Sequence, residues 1–346
     1  MKWEKSKGFS KKYVDKAGTI LISRTPDQDK EESLEVLNHR REIHKYPLHI
    51  FRKRLQSSAK DIDSRSFVVG RLKRFSSIIR KLKRNPLMKL SRMQDIAGCR
   101  AVMINYKQAK KLYEEKYIKG KIKHKRIKED DYVTFPKNDG YRSYHLVYKY
   151  KSEKKGKQDY NGLLVEIQIR SKLQHLWATA IEVVDFFTGQ GLKFNKGDKE
   201  WKEFFKLVSS AFAIIENTPL VPGTPANKKE LYNKIKEKEK ELNLIENMNK
   251  WTDVLRIFSE QSTSKDKCFL LEIDVKQERL TITPFTREEE SKAITILERL
   301  EKKNKDRKEY DIVLVRADKF EDLRKAYPNY FADTKEFLSK LKHINP

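Results

Sequence analysis

Residues 163–170 (LLVEIQIR) show the clearest periodicity of the chain. Apolar residues occupy every second position, and the positions between them carry Glu166, Gln168 and Arg170. A period of two is typical of a strand, so the sequence predicts a strand with three polar side chains on one face. Such a face lies either on the outer surface of a sheet or on the floor of a binding pocket.

Residues 70–82 (GRLKRFSSIIRKL) have helical spacing instead. Lys73, Ser77 and Lys81 recur every four residues, which in a helix brings two ammonium groups and a hydroxyl onto one face. The other face is apolar and is formed by Leu72, Phe75, Ile79 and Leu82. We therefore predict a helix with Arg71 at its mouth. Lysines at this spacing often form only a solvated face, but the same row suits a triphosphate.

The sequence pattern after residue 216 predicts a linker and then a second folded unit. Residues 217–227 (NTPLVPGTPAN) contain three prolines and a glycine, which is typical of a linker. After it, residues 228–249 predict one helix of alternating charge, with Leu231, Ile235, Leu242 and Ile245 on its apolar stripe. The remaining pattern predicts a hairpin of residues 268–275 and 279–284 across a turn at 276–278, a helix over 288–303, a strand over 311–315 and a terminal helix over 332–341.

Composition excludes a membrane-embedded protein. Charged residues make up 37% of the 346 residues, and no window approaches the roughly 18 consecutive apolar residues that a spanning helix needs. The first nine residues are charged where a secretory signal is apolar, so we expect a cytoplasmic protein. Cys99 and Cys268 both lie in apolar runs, which favours buried thiols over a disulfide framework or a cysteine-based zinc site.

The excess of positive charge lies in the first 225 residues. They carry 50 Lys and Arg against 26 Asp and Glu, a net charge of +24, whereas the rest of the chain carries 27 against 24, or +3. A field of this size favours polyanions such as phosphate-rich nucleotides or RNA. The densest basic stretch, residues 119–128 (KGKIKHKRIK), is either a solvated loop or a nucleic-acid contact.

Two further clusters offer candidate chemistry. Asp95 directly precedes the apolar run of residues 99–104, where a carboxylate either caps a turn or contributes to a Mg²⁺ site. Residues 131–145 (DYVTFPKNDGYRSYH) contain turn residues followed by Tyr141, Arg142 and His145, which we expect to be exposed. This loop is either a plain hairpin turn or a site that offers a cation to phosphate and a ring to a base.

Taken together, the motifs GRxKxxxSIxxK, DIAGxR, DYxxxPKxxGYRSxH and EIQIR resemble the synthetase domain of the RelA/SpoT family over roughly residues 40–190. The resemblance implies an α+β fold, with a nucleotidyltransferase-like mixed β-sheet flanked by helices, followed by a small C-terminal α+β domain. It also implies transfer of the β,γ-pyrophosphoryl group of ATP to a 3′-hydroxyl, usually that of GDP or GTP. Phosphoryl-type transfer depends mainly on positioning and charge neutralisation, which suits these residue types.

The resemblance also implies a role for each matching residue. Asp95 and Glu166 are the implied Mg²⁺ ligands and catalytic carboxylates, with Glu166 accepting the proton of the attacking hydroxyl. The implied ATP-binding residues are Arg71 and Arg100, on either side of the adenine, and Lys73, Ser77 and Lys81 along the phosphates. The implied acceptor-binding residues are Tyr141, which stacks on the base, with Lys137, Arg142, His145, Gln168 and His175 around it.

Several positions depart from the family pattern. Asp139 replaces the usual Asn, Arg142 stands where long members often have Gln, and His175 follows Gln174 where Met is common. These departures concern the identity of the acceptor. The bifunctional members also carry an upstream HD-type metal site, whereas His39, His44 and His49 lie in a charged helical stretch without an HD pair, so we expect surface or packing roles for them.

Within the family, the chain resembles the fused toxin–antitoxin type called CapRel. This implies a synthetase (toxin) domain over residues 1–216, a linker over 217–227 and a regulatory (antitoxin), pseudo-zinc-finger-like domain over 228–346. It further implies pyrophosphorylation of the tRNA 3′ CCA end, sensing of a phage protein by the C-terminal domain, and autoinhibition through the YxxY element of Tyr327 and Tyr330.

Two alternatives remain open at this point. One is a small alarmone synthetase that makes guanosine tetra- or pentaphosphate from ATP and GDP or GTP. The other is a catalytically inactive RNA-binding regulator, against which the intact pair of Asp95 and Glu166 argues.

Overall fold

The structure is a computed structural model that describes residues 8–23, 27–188, 192, 197–254, 256–259, 266–286, 288–304, 307, 310–316, 323, 331 and 334–344. Its helices are α1 (Lys11–Ile20), α2 (Asp27–Ile43), α3 (Lys45–Ile62), α4 (Phe75–Arg84), α5 (Tyr106–Lys111), α6 (Lys172–Thr188), α7 (Lys199–Glu216), α8 (Lys228–Glu241), α9 (Leu244–Val254), α10 (Glu290–Lys303) and α11 (Lys335–Ile344). A π-helix (Leu112–Ile118) and 3₁₀ turns (Leu90–Arg92 and Gln158–Tyr160) complete them. Across the described residues, no helix is both long and apolar enough to cross a bilayer.

The strands form one mixed sheet, nine-stranded within the described residues, in the order β3-β4-β5-β2-β1-β9-β7-β8-β6. β2 runs parallel to β5 and β6 parallel to β8, and the other neighbours are antiparallel. The strands are β1 (Phe67–Leu72), β2 (Ala97–Met103), β3 (Lys125–Asp131), β4 (Tyr144–Lys149), β5 (Leu164–Ser171), β6 (Arg256–Ser259), β7 (Asp266–Asp274), β8 (Arg279–Thr286) and β9 (Tyr310–Arg316).

Helices cover both faces of the sheet. On one face, Leu48, Phe51 and Leu55 of α3 and Leu297 of α10 share a core with strand residues such as Cys99. On the other face, β1, β7 and β9 pack with the end of α6, and a further core joins α6 and α7 to α8, α9 and α11. Apolar surface leaves water at each of these contacts. The predicted α+β class, a mixed sheet flanked by helices, is confirmed.

The prediction of a helix over residues 70–82 is wrong in its first part. Gly70 and Leu72 lie in β1, paired with β2, and α4 begins only at Phe75. The N–H of Lys73 donates to the carbonyl of Ile96 at 2.7 Å, and Arg74 is extended at φ −61°, ψ 146°. The apolar run of residues 67–69, just before the predicted segment, favours a buried strand over a helix.

Most elements predicted for the C-terminal part are confirmed. The hairpin β7–β8, the helix α10 and the strand β9 lie at the expected positions, and both cysteines are buried. The single helix predicted over residues 228–249 is wrong, because Asn243 is left-handed at φ 45° and separates α8 from α9. Asn adopts this conformation more readily than most residues. The terminal helix runs three residues later than predicted, from Lys335 to Ile344.

The linker and the C-terminal part pack closely on the rest of the chain. Residues 217–227 have no helix or strand, as predicted, but Val221 is buried and its N–H donates to Oγ of Ser210 in α7 at 2.9 Å. β9 pairs with β1 at Gly70–Arg316 and Arg71–Val315, so the C-terminal strands extend the N-terminal sheet. The functional division into toxin and antitoxin parts stays a prediction.

Candidate active site

A cavity of about 320 Å³ opens at the junction of β1, β2, β4 and β5 with α6 and α7. Nine of the catalytic, ATP-binding and acceptor-binding residues implied by the resemblance line it: Arg71, Lys73, Asp95, Arg100, Lys137, Tyr141, His145, Glu166 and Gln168. They come from segments separated by almost a hundred residues in the chain. The sheet brings them together because β2 lies between β1 and β5.

Glu166 is at the centre of a hydrogen-bonded row on the polar face of β5. Its Oε1 lies 3.1 Å from Nδ1 of His145, and its Oε2 accepts a hydrogen bond from the Gln168 amide at 2.8 Å. The Gln168 carbonyl oxygen in turn accepts from Nε of Arg100 at 3.3 Å. Opposite Glu166 in β2 is Gly98, and both residues line the cavity.

Within this hydrogen-bonded row, Glu166 carries a negative charge next to a positive charge on His145. Burial by itself raises the pKa of Glu166, but the hydrogen bond and charge of His145 outweigh burial and lower it. Burial by itself lowers the pKa of His145, but the Tyr141 hydroxyl, 2.8 Å from Nε2, and Glu166 together raise it. Glu166 is therefore a carboxylate at neutral pH, and His145 is an imidazolium that orients it.

Asp95 lies between two lysines at the entrance to β2. Its Oδ2 is 2.9 Å from Nζ of Lys73, and its Oδ1 is 2.9 Å from Nζ of Lys81. Burial by itself raises the pKa of Asp95, but the two ammonium groups lower it. Burial lowers the pKa of Lys73 to about 8, although Asp95 acts in the opposite direction. Lys73 and Lys81 therefore converge on one point without sharing a helix.

The carboxylates fit a magnesium ion in their donor chemistry. Asp95 and Glu166 both line the cavity, and the charge of Asp95 acts to raise the pKa of Glu166. Among the described residues, no group of three or more His, Cys, Asp or Glu forms a self-sufficient metal cage. Mg²⁺ is commonly bound by one or two carboxylates together with substrate phosphates, so Asp95 and Glu166 would hold it only alongside a nucleotide.

The arginines make the inner wall of the cavity strongly positive. Arg71 in β1 and Arg100 in β2 both line it, as the predicted adenine pair requires. Behind them, burial lowers the pKa of Arg170 to about 9, and the charges of Arg100 and Arg71 also lower it. Ser77 lies half-buried in α4, and neither it nor Lys81 is among the lining residues. Of the predicted phosphate row, Lys73 lines the cavity, and Lys81 contacts Asp95, which also lines it.

The loop between β3 and β4 brings aromatic and basic side chains to the same cavity. Gly140 adopts φ +92°, and a Cβ there would lie 3.0 Å from the Trp177 ring, so the turn needs glycine. Nζ of Lys137 lies 5.2 Å from the centre of the Tyr141 ring, within cation–π range. Asp139 accepts the Tyr141 N–H at 2.9 Å, which fixes the tyrosine beside His145.

Arg142 and His175 lie outside the cavity, and the expected exposure of Tyr141, Arg142 and His145 is wrong. Arg142 is 3% exposed and donates to Oγ of Ser209, to the carbonyl of Val133 and to the carbonyl of Pro219. His175, also 3% exposed, accepts a hydrogen bond from Arg170 at 2.8 Å. Arg142 is covered by α7 and the linker, whereas the His175 ring packs edge-on against Phe67 of β1.

Arg142→Ala is expected to lower the free energy of unfolding by about 2–4 kcal/mol, because charge-assisted hydrogen bonds are lost and three acceptors are left buried. Urea unfolding of the full chain measures it. Lys149→Ala, at an exposed position of β4, the strand that follows Arg142, is the control and should be near neutral. Unchanged stability with weaker acceptor binding would instead make Arg142 a substrate contact.

Two of the upstream histidines have packing positions, and the two tyrosines of the YxxY element are not described. His44 is buried with Nδ1 2.6 Å from the carbonyl of Arg40, and His39 packs edge-on against Phe9, which fits packing roles. Tyr327 and Tyr330 lie outside the described residues.

Sequence reasoning missed the contribution of α6 and α7. Trp177, Ala178, Ile181 and Glu182 of α6 line the cavity, together with Lys202 and Phe205 of α7. The α6 residues recur at helical spacing, which was the available signal. Their contact with the cavity depends on how α6 packs across β5, and that is not visible in the spacing.

Comparisons with known proteins agree with the motifs. Residues 70–184 match the family described as "Region found in RelA / SpoT proteins". Over 115 residues, 33% of this chain, the sequence is 37% identical to "GTP pyrophosphokinase YjbM" of Bacillus subtilis (strain 168), and the match spans about half of that relative, 53% of its length.

Solved structures show weaker overall similarity. The small alarmone synthetase 1 of Bacillus subtilis is 26% identical, with 50% of this chain and 90% of that chain covered and a TM-score of 0.41. The small alarmone synthetase 2 of the same species is 21% identical, with 51% and 91% covered and a TM-score of 0.43. The segment from β1 to α6, which carries all four motifs and most of the cavity, is thus the part of the chain that matches the RelA/SpoT region.

Proposed function

We propose that the chain is an ATP-dependent pyrophosphokinase that transfers the β,γ-pyrophosphoryl group of ATP to a 3′-hydroxyl. The observation that carries the proposal is the convergence of Asp95 and Glu166 on one cavity whose wall contains Arg71, Arg100 and Lys73. Paired carboxylates beside several fixed cations suit a reaction that depends on positioning and charge neutralisation.

In the proposed reaction, the acceptor oxygen attacks the β-phosphorus of ATP. A bond forms between that oxygen and the β-phosphorus, the bond from the β-phosphorus to the oxygen bridging to the α-phosphorus breaks, and AMP leaves. Glu166 accepts the proton of the hydroxyl, since it is a carboxylate facing the cavity and is oriented by His145 and Gln168. Lys73 and Lys81 balance phosphate charge.

A bound Mg²⁺ would neutralise phosphate charge and polarise the bond that breaks. Asp95 and Glu166 are the residues that would hold it. Lys73 and Lys81 pair with Asp95 in the structure and would balance the phosphate charge of a bound nucleotide, while Asp95 would serve the metal.

For the acceptor, we favour the tRNA 3′ CCA end. The net charge of +24 over residues 1–225 suits a partner with many phosphates. In the basic stretch, Lys119, Lys121, Lys123 and Lys125 are exposed. Phe135 is 75% exposed two residues before Lys137, which lines the cavity, and an exposed ring suits stacking on a base of a single strand.

A guanine nucleotide is the second candidate, and the similarity to a GTP pyrophosphokinase of Bacillus subtilis favours it. Incubation of the full chain with labelled ATP and either GDP or GTP or bulk tRNA distinguishes the two. We expect label in tRNA; label confined to guanosine polyphosphate would assign the second candidate.

We further propose that the enzyme is a toxin held inactive by its own C-terminal part until a phage protein binds there. The double substitution Tyr327→Ala with Tyr330→Ala should then make the full chain inhibit growth and translation when expressed. Adding Glu166→Gln should abolish that inhibition, since the activity itself is removed. A double tyrosine variant that expresses well and is harmless, while its purified form transfers label no faster than wild type, would contradict autoinhibition.

The inactive RNA-binding regulator is tested by the same full-length variants. Because β9 pairs with β1, a fragment of residues 1–225 lacks a strand next to Arg71, and its failure to act would be uninformative. If the protein is such a regulator, wild type and the Glu166→Gln variant should bind RNA with the same affinity, and neither should transfer label.

A further inference from the structure

Two carboxylates from the C-terminal part contact the start of α4, the helix that carries Ser77 and Lys81. Oε1 of Glu301, in α10, accepts the N–H of Phe75 at 2.8 Å across 226 residues of sequence. Asp311, in β9, forms an ion pair with Arg74, the residue that precedes the helix. Oε2 of Glu301 lies 3.3 Å from Nη1 of Arg41, so the carboxylate is itself held in position.

The start of α4 depends on these contacts because it lacks a cap of its own. The first N–H groups of a helix have no partners within the helix, and a nearby side chain usually accepts one of them. At α4 the N-cap residue is Arg74, which makes no side-chain capping hydrogen bond, and the first turn contains no acidic residue. Glu301 supplies both the acceptor and the negative charge that a helix N-terminus favours.

We infer that Glu301 and Asp311 are positioning residues for the ATP side of the cavity. The connection between β1 and α4 contains Lys73, and Lys81 lies two turns into α4; both ammonium groups meet at Asp95. Fixing the first turn of α4 therefore fixes where the two lysines are relative to that carboxylate. The C-terminal part thus contributes to the site as well as carrying the proposed regulatory element. The consequence for ATP rests on the proposed function.

Two full-length variants separate the cap from the ion pair. Glu301→Ala removes both the acceptor for Phe75 and the partner of Arg41. Glu301→Gln removes the same partner of Arg41 but keeps a carbonyl oxygen where Oε1 accepts from Phe75. We expect Glu301→Ala to raise amide hydrogen exchange at the start of α4 about tenfold, and Glu301→Gln to change it about twofold or less, in line with the usual effect of losing a cap.

Binding of a non-hydrolysable ATP analogue supplies the second readout, measured by calorimetry without any turnover. Its Kd should rise about tenfold in Glu301→Ala and stay near wild type in Glu301→Gln. Glu290→Ala is the control, because Glu290 also lies in α10 but its carboxylate pairs with Arg316 of β9. It should leave both readouts unchanged even if it lowers stability.

Equal effects of Glu301→Ala and Glu301→Gln on both readouts would overturn the inference. If Glu301→Ala does not fold, the charge exchange Arg74→Glu with Asp311→Arg decides instead: it should restore analogue binding lost in Arg74→Glu alone, and failure to restore it would count against positioning. Absence of analogue binding by wild type would contradict the proposed function, while hydrogen exchange would still decide the role of Glu301.

Discussion

Glu166→Gln is expected to reduce pyrophosphoryl transfer by about a thousandfold, the usual range for removing a positioned general base. The substitution keeps the size of the side chain, but its one carbonyl oxygen accepts from either His145 or Gln168 and not from both. It removes the negative charge, so the proton acceptor and one of the two implied magnesium ligands are lost together. The initial rate of label transfer from ATP at saturating acceptor measures the effect.

The same variant has a readout that does not depend on turnover. Glu166 helps to raise the pKa of His145, so Glu166→Gln should lower the His145 pKa in an NMR titration. Because the His145 pKa is raised in the folded state, protonated His145 stabilises the fold. This contribution is complete below the pKa of the unfolded chain, about 6.5, and is lost as pH rises through the pKa of the folded chain. A thousandfold loss of rate with an unchanged His145 pKa would contradict the hydrogen-bonded row described above.

Asp95→Asn is expected to lower transfer by about a hundredfold to a thousandfold, comparable to removing a fixed electrostatic partner in other active sites. Without the carboxylate, Lys73 and Lys81 face each other with no negative charge between them. The pKa of Lys73, which burial already lowers to about 8, should fall further because the opposing effect of Asp95 is lost. The rate profile between pH 7 and 9 measures both consequences, with activity lost as Lys73 is deprotonated.

Asp139→Asn is the matched control for this prediction. Asp139 lines the same cavity, but its contact is with the backbone N–H of Tyr141, which an amide oxygen also accepts. We therefore expect a change in rate of about threefold or less, since one neutral hydrogen bond replaces a charged one. Equal losses in Asp95→Asn and Asp139→Asn would mean that the cavity responds to net charge and not to a specific carboxylate at the entrance of β2.

The local parts of the site were predictable from the sequence. The alternation of residues 163–170 determines that Glu166 and Gln168 share the polar face of β5, and the turn residues around Gly140 determine the loop that carries Tyr141. Asp95 was singled out because it precedes an apolar run, and that run forms most of β2. In each case the signal lies within fewer than twenty residues, where backbone periodicity and turn chemistry decide the structure.

The remaining features depend on contacts between distant segments. The helical spacing of Lys73 and Lys81 correctly indicated that they lie together, but not on one helix: Lys73, in the connection after β1, and Lys81, in α4, meet at Asp95. Arg142 looked exposed because its partners Ser209 and Pro219 follow it by 67 and 77 residues. The pairing of β9 with β1 is also not visible in the sequence of either strand. Which strands pair depends on the side chains of both strands and on their packing in the fold.

The central claim is that this cavity transfers a pyrophosphoryl group, and product analysis with ATP labelled at the γ-phosphate tests it most directly. We expect wild-type protein with Mg²⁺ and acceptor to release one AMP for each labelled acceptor formed, and Glu166→Gln to form neither. Release of ADP or free phosphate in place of AMP, or label transfer that persists in Glu166→Gln, would contradict the account.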